Sequence, residues 1–108
     1  MEVVIDRFDV FLVRLNPTVG SEIAKTRPCV VVSPDEMNRQ LRTVIIAPLT
    51  GADKPYPSRV PCRFGNRRGQ VALDQLRTID RSRLLKRLGR LDSSTAASVV
   101  RTLLEMFG

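Results

Sequence analysis

Residues 27–34 read Arg-Pro-Cys-Val-Val-Val-Ser-Pro. Three consecutive valines between prolines predict a short buried strand over residues 28–33. The next five residues, 34–38, predict one helical turn, with Pro34 at its first position and Ser33 as its cap. The stretch therefore indicates a core strand that stops at a short helical segment.

Outward from this stretch, short β-branched and aromatic segments alternate with loops that contain proline and glycine. Strands are predicted over residues 8–15, 43–49, 59–64, 70–73, 76–79 and 84–91, with a hairpin turn over 65–69. Only the C-terminal segment has clear helical periodicity, in the set Ala96, Val99, Val100, Leu103, Met106 and Phe107. We therefore predict a mainly β fold, a small antiparallel barrel with a C-terminal helix, as a single domain over residues 1–108.

The chain has no histidine, and this excludes several classes of enzyme. Ser-His-Asp and Cys-His mechanisms need a histidine as general base. Cys29 and Cys62 cannot complete a four-ligand zinc site by themselves. We therefore expect no metal and no cofactor, and we interpret the two cysteines as small buried apolar side chains.

The sequence also predicts the cellular compartment. Its longest apolar runs, such as residues 10–13 and 30–32, are far too short to cross a membrane. Its acidic first residues are unlike a signal peptide. We therefore expect a cytoplasmic protein with no membrane association.

The net charge of +7 is concentrated in the middle of the chain. Residues 37–91 contain thirteen basic and three acidic side chains, and fifteen of the chain's 18 basic residues are arginine. Arginine favours bidentate contacts with phosphate, so the pattern indicates an anionic partner, either nucleic acid or an acidic polypeptide. The alternative is a basic surface with no specific partner, and Arg67 and Arg68 are interpreted as a solvated hairpin tip.

Four segments together resemble a known family. They are Asp-Val-Phe-Leu-Val at 9–13 running into Asn-Pro-Thr-Val-Gly-Ser-Glu at 16–22, Thr-Arg-Pro at 26–28 before the valines, Val-Ile-Ile-Ala-Pro-Leu-Thr at 44–50, and Val-Ala-Leu-Asp-Gln at 71–75 followed by Arg-Thr-Ile-Asp at 77–80. In this order and spacing the chain resembles the MazF/PemK/Kid family of bacterial toxins.

This resemblance implies an SH3-like barrel closed by a C-terminal helix, and a homodimer. It implies a metal-independent endoribonuclease that cuts single-stranded RNA, mainly messenger RNA, at short sequences. The RNA's own 2′-hydroxyl would attack the adjacent phosphate and leave 2′,3′-cyclic phosphate and 5′-hydroxyl ends. An acidic antitoxin would neutralise the toxin by occupying the RNA groove.

The resemblance also identifies candidate catalytic residues. Arg27 matches the family's catalytic arginine, and its guanidinium is suited to stabilising charge on the phosphoryl oxygens. Thr50 matches the catalytic threonine, although a threonine that ends a strand often bonds its own turn instead. Glu22 matches a recurrent glutamate that would orient Arg27 or take the 2′-hydroxyl proton, and the alternative is a solvated loop carboxylate.

The candidate RNA-binding residues come from three segments. The resemblance places Pro17, Thr18 and Ser21 of the first loop in the RNA groove, and Ser21 stands where the Kid-like branch has a histidine. Asp74, Gln75 and Arg77 match a segment that lines this groove, where Gln75 can recognise a base edge, and the alternative for this segment is hydrogen bonding at the sheet edge. Lys54 and Tyr56 lie in a loop with two prolines, where Tyr56 can stack on a base. The candidate RNA-binding residues are therefore Pro17, Thr18, Ser21, Lys54, Tyr56, Asp74, Gln75 and Arg77.

Two other functions fit the same composition. One is a non-catalytic toxin of the same fold that poisons gyrase, like CcdB, but that protein acts through a tail containing tryptophan and this chain has no tryptophan. The other is a basic RNA-binding barrel without catalysis.

Overall fold

The computed structural model describes residues 3–108. Within this range the chain forms strands, two α-helices and two short 3₁₀ turns, the latter at Leu73–Gln75 and Arg81–Arg83. The bounds are β1 Asp9–Arg14, β2 Thr26–Val31, α1 Asp35–Gln40, β3 Thr43–Thr50, β4 Arg59–Phe64, β5 Arg67–Ala72, β6 Arg77–Asp80, β7 Leu84–Arg90 and α2 Ser93–Phe107.

The strands form one curled antiparallel sheet in the order β4-β5-β3-β2-β1-β7. β3 is central and has more than one neighbour: β2 pairs with residues 46–48, β6 pairs with residues 43–46, and β5 pairs with residues 49 and 50. The 3₁₀ turn at Leu73–Gln75 connects β5 to β6 beside the middle of β3. This connection brings the turn next to Pro48, where the candidate site lies.

The sheet is buried on both faces because consecutive residues enter two different cores. Val10 and Val30 lie in one cluster, and their neighbours Phe11 and Val31 lie in the other. Side chains alternate across a strand, so β-branched runs such as the three valines serve both faces at once. Each fully buried side chain of this size contributes about 1.5–3 kcal/mol to the free energy of unfolding. The mainly β fold with a C-terminal helix is therefore as predicted.

Helix α2 packs on one of these cores through part of its apolar face. Val99 is fully buried, and Leu103 packs against the same cluster. The predicted apolar face runs further than the contact, because Phe107 is 74% exposed and Met106 is 37% exposed. Neither helix in residues 3–108 is long and apolar enough to cross a membrane.

Several strand boundaries differ from the prediction, by one to three residues. β2 begins at Thr26 and not at residue 28, because β1 extends to pair with it, with Arg14 opposite Thr26. The hairpin turn consists of residues 65 and 66 alone, since Phe64 pairs with Arg67. Gly65 has a φ of +61°, which suits the first position of a two-residue turn. The interpretation of Arg67 and Arg68 as a hairpin tip is therefore wrong, because both belong to β5.

Candidate active site

Arg27 and Thr50 lie toward the same end of two paired strands. β2 and β3 pair as far as Cys29 opposite Pro48. Two residues further along each strand, and on the same face, are Arg27 and Thr50. Beyond that last pair, β3 pairs with β5 at residues 49 and 50. The predicted catalytic pair thus shares one end of the sheet, where both residues are half-buried.

A hydrogen bond holds the Arg27 guanidinium at Nε and leaves its terminal nitrogens for a ligand. Its Nε donates to the carbonyl oxygen of Ala24 at 2.9 Å. Within residues 3–108 the two terminal nitrogens have no hydrogen-bond partner and no acidic side chain in ion-pair distance. A guanidinium held in this way has donors to spare for a planar anion such as phosphate.

The hydroxyl of Thr50 makes a hydrogen bond within its own turn. Its Oγ1 accepts from the backbone N–H of Ala52 at 3.1 Å, which is the self-bonded turn that the sequence left open. This contact uses the oxygen as an acceptor, so the hydroxyl hydrogen remains able to donate. Thr50 also pairs with Gln70 of β5, and this fixes its backbone.

A cavity of about 260 Å³ lies at Pro48, two residues before Thr50, and neither Arg27 nor Thr50 lines it. Four of the predicted site residues line it, together with Pro48 from the middle of β3; they are Glu22, Asp74, Gln75 and Arg77. The first comes from the loop before β2 and the other three from the 3₁₀ turn and β6. The structure therefore gathers residues that are about 50 positions apart in the chain.

Glu22 lines the cavity without touching Arg27. Its Oε1 accepts from the backbone N–H of Val19 at 2.5 Å. Among the described residues it has no hydrogen bond to the Arg27 guanidinium, so it does not orient that side chain here. The exposed carboxylate retains a further oxygen for a substrate hydroxyl.

Gln75 and Arg77 hold the first loop in place. Gln75 Oε1 accepts from the N–H of Ile23 at 3.2 Å. Arg77 donates to the carbonyl oxygens of Leu15 at 2.6 Å and Pro17 at 3.3 Å. Both residues therefore make structural hydrogen bonds, which were the alternative to RNA binding. Both also line the cavity.

Sequence reasoning missed Arg83 as a second anchor of this loop. Its Nη1 lies 2.8–3.2 Å from the carbonyl oxygens of Arg14, Leu15 and Asn16. The Asn16 side chain accepts in turn from Thr18 Oγ1 at 3.2 Å and from the Lys25 N–H at 3.1 Å. Nothing in the local sequence marks Arg83, since its partners lie 67–69 residues away. Of the other predicted loop residues, Pro17 and Ser21 are exposed.

Asp74 forms an ion pair that sequence reasoning also missed. Arg59 donates through Nε to Oδ1 at 2.6 Å and through Nη2 to Oδ2 at 3.1 Å, and Ser58 Oγ donates at 2.9 Å. The hydrogen bond from Arg59 is the main reason that the pKa of Asp74 lies below its usual range. The same guanidinium lies 5.3 Å from the ring centre of Tyr56. Asp74 is thus largely committed to its neighbours, and Tyr56 is positioned by a cation–π contact.

The loop that carries Lys54 and Tyr56 is anchored by a buried amide. Gln70 Oε1 accepts from the Lys54 N–H at 3.1 Å, and Gln70 Nε2 donates to the Lys54 carbonyl oxygen at 2.9 Å. The backbone is therefore held at Lys54 while its side chain is exposed, and Tyr56 is 48% exposed.

Cys29, two residues after Arg27 in β2, is a buried free thiol. Burial raises its pKa to about 12, and the neighbouring charges of Arg27 and Arg77 only partly offset this. It is therefore protonated near neutral pH and unsuited to nucleophilic attack. Cys62 is half-buried and free, and its pKa is also raised by burial. In residues 3–108 no three potential ligands cluster in a way that would hold a metal ion.

Comparisons with known proteins agree with this architecture. The family model of PemK-like, MazF-like toxins of type II toxin–antitoxin systems matches residues 6–107. Endoribonuclease EndoA of Bacillus subtilis is 37% identical over 95 residues, which is 82% of this chain and 82% of that protein.

Solved structures give the same result. MazF from Deinococcus radiodurans superposes with a TM-score of 0.86 at 28% identity, covering 99% of both chains. A MazE–MazF structure from the same organism matches with a TM-score of 0.80 at 28% identity, covering 99% of this chain and 98% of that one. The likeness in sequence and in fold extends over nearly the whole chain, and the chain therefore belongs to the family of PemK-like, MazF-like toxins of type II toxin–antitoxin systems.

Proposed function

We propose that this chain is the toxin endoribonuclease of a toxin–antitoxin pair and cleaves single-stranded messenger RNA without a metal ion. The observation that supports the proposal is the placement of Arg27 and Thr50 two residues beyond the last β2–β3 pair, Cys29–Pro48, since Pro48 lines a cavity together with Glu22, Asp74, Gln75 and Arg77. The name of the Bacillus subtilis relative, an endoribonuclease, supports the class of reaction.

In the proposed reaction, the 2′-hydroxyl of the nucleotide before the cut attacks the adjacent phosphorus and loses its proton. The bond to the 5′-oxygen of the next nucleotide breaks, and that oxygen gains a proton. The products are a 2′,3′-cyclic phosphate and a 5′-hydroxyl. No protein nucleophile is needed, which agrees with the protonated thiol of Cys29 and the absence of histidine.

Arg27 is proposed to bind the phosphoryl oxygens through its terminal nitrogens as negative charge develops on them. Thr50 donates its hydroxyl hydrogen to a second phosphoryl oxygen. Glu22 lies across the cavity with an oxygen suited to the 2′-hydroxyl proton. The remaining predicted residues are proposed to bind RNA on either side: Pro17, Thr18, Ser21, Lys54, Tyr56, Asp74, Gln75 and Arg77.

Two protein partners complete the proposal. An acidic antitoxin would cover the RNA groove, and the MazE–MazF structure from Deinococcus radiodurans supports such a complex. A second copy of the chain would form a homodimer and cover apolar side chains that remain exposed on α2, such as Leu104 and Phe107. Its substrate makes the cytoplasm the proposed compartment.

The direct test is incubation of the purified protein with a long single-stranded RNA in excess EDTA, followed by sequencing of the new 5′ ends. We expect cleavage at a short recurrent sequence, at the same rate with and without added Mg²⁺. A strict requirement for Mg²⁺ would overturn the mechanism. Intact RNA that shifts on a gel would instead favour a non-catalytic RNA-binding barrel.

A further inference from the structure

A basic surface lies at the turn end of the β4–β5 hairpin. Alternate residues of β4 share one face with their partners in β5, and this face is buried at Ala72 and Gln70 and exposed at Pro61, Arg63 and Arg68. From the loop end to the turn end, the cross-strand pairs are Arg59–Ala72, Pro61–Gln70 and Arg63–Arg68. The turn end of this face therefore carries two arginines side by side.

Arg63 and Arg68 are directly opposed and not neutralised. Both side chains are exposed. In residues 3–108 neither has an acidic partner within ion-pair distance, unlike Arg59 on the same strand. Like charges directly opposite each other in a sheet are destabilising. Fold stability therefore gives no reason for two arginines to lie opposite each other, whereas binding of an anion does.

Strand β5 connects this surface to the proposed catalytic end. Gln70 pairs with Thr50 on one side and with Pro61 on the other. Arg68 lies two residues beyond Gln70 along β5, a distance of about 7 Å. A strand of RNA that leaves Thr50 along β5 thus meets the arginine pair after passing the loop that Gln70 anchors.

We propose that Arg63 and Arg68 bind backbone phosphates of the RNA outside the cleaved bond, and this proposal rests on the proposed function. Guanidinium groups need no apolar neighbours to bind phosphate. A docked protein segment relies on apolar anchors as well as charge, and between the arginine pair and Gln70 this face offers only Pro61. The surface therefore matches a nucleic-acid backbone better than an acidic polypeptide.

The experiment compares wild type with the Arg63→Gln/Arg68→Gln double variant in RNA binding. The probes are two fluorescent 2′-O-methyl RNAs of about sixteen nucleotides with different sequences. The methyl groups block attack by the 2′-hydroxyl, so binding is measured by anisotropy without cleavage. The matched control, Arg42→Gln/Lys86→Gln, removes the same charge from exposed positions elsewhere.

Each lost phosphate contact lowers the slope of log K against log salt by about 0.7 for single strands. We expect the double variant to lose about 1.4 from this slope and on the order of tenfold in affinity near 0.1 M salt, equally for both sequences. The control should keep the wild-type slope. Loss of repulsion should leave the melting temperature of the double variant at or above that of wild type. If the double variant is poorly folded, Arg68→Gln alone should lose about 0.7 from the slope.

Wild-type affinity and slope in the double variant would overturn the proposal. A variant that keeps RNA affinity and loses binding to a polyglutamate peptide would reassign the surface to an acidic polypeptide. Failure of the wild type to cut RNA would count against the proposed function alone, because the binding comparison does not depend on cleavage.

Discussion

The β2–β3 end of the sheet and the β1–β7 seam use arginine in opposite ways. At the seam, the fully buried carboxylate of Asp9 accepts from the N–H of Asp6 at 2.9 Å and pairs with Arg87 at 3.2 Å and Arg90 at 3.3 Å. At the β2–β3 end, Arg27 is held by one bond from Nε, and its terminal nitrogens have no partner among the described residues. The first arrangement satisfies its charges internally, whereas the second leaves donors for a ligand.

Stability and activity should depend on different regions of this molecule. Removal of a buried carboxylate leaves its hydrogen-bond donors and counter-charges without a partner, and this lowers the free energy of unfolding. A guanidinium end without a partner contributes little to stability and can contribute much to a transition state. The two regions should therefore respond to substitution in opposite ways.

The largest expected effect is on catalysis at the β2–β3 end. Arg27→Ala should lower the rate of RNA cleavage by about 10²–10³-fold, because it removes the donors proposed for the phosphoryl oxygens. The free energy of unfolding should fall by no more than about 1 kcal/mol, since one hydrogen bond is lost. Cleavage assays and denaturant unfolding measure the two quantities, with Arg101→Ala on α2 as the matched control. Full activity in Arg27→Ala would remove this residue from the mechanism.

The reverse behaviour is expected at the seam. Asp9→Ala should lower the free energy of unfolding by about 2–4 kcal/mol, because the Asp6 N–H loses its acceptor and two arginines lose their counter-charge. Asp9→Asn should cost less, since the amide oxygen can still accept from Asp6. Cleavage per folded molecule should equal that of wild type at a temperature where both are folded. A specific loss of cleavage would contradict the division of roles between the two regions.

A smaller effect on catalysis is expected at Thr50. Thr50→Val should lower the cleavage rate by about 10–100-fold, the value of one hydrogen bond to a charged group. Thr50→Ser keeps both the donor and the bond from the Ala52 N–H, so its rate should stay close to that of wild type. Equal rates for the valine and serine variants would exclude a role for the hydroxyl.

The smallest effect concerns acid stability next to the cavity. Arg59 lowers the pKa of Asp74 in the folded protein. The unfolded chain therefore takes up this proton first as the pH falls, and stability is present above about pH 4 and is lost below it. Because a third of the Asp74 side chain is exposed, the loss should be modest. Unfolding titrations of Asp74→Asn between about pH 5 and pH 2 should lack this component. An identical pH dependence in wild type and variant would show that the pair does not contribute.

Local patterns were sufficient to predict most elements of the fold. Runs such as Val30 to Val32 and the helical periodicity around Val99 express preferences that need no distant partner. The start of β2 was missed because Thr26 and Arg27 become part of a strand only through pairing with β1. The hairpin turn was predicted too long, because Arg67 and Arg68 carry no local strand signal.

The site was only partly predictable for the same reason. Arg27, Thr50 and Glu22 were identified as candidates from the sequence, but the placement of Arg27 and Thr50 toward the same end of two paired strands depends on the register of β2 and β3. The anchors of the surrounding loops, Gln70 and Arg83, act on partners 16 or more residues away. Such contacts arise from the tertiary fold and leave no mark in the nearby sequence.

The measurement that tests the central claim most directly is cleavage of an RNA with a single 2′-deoxynucleotide immediately before the cut. The proposed mechanism uses only the 2′-hydroxyl of that nucleotide as the attacking group. We predict that the substituted RNA stays intact, while the unmodified RNA gives a 2′,3′-cyclic phosphate and a 5′-hydroxyl. Cleavage of the substituted RNA at the same bond, or products with 5′-phosphates, would contradict the account.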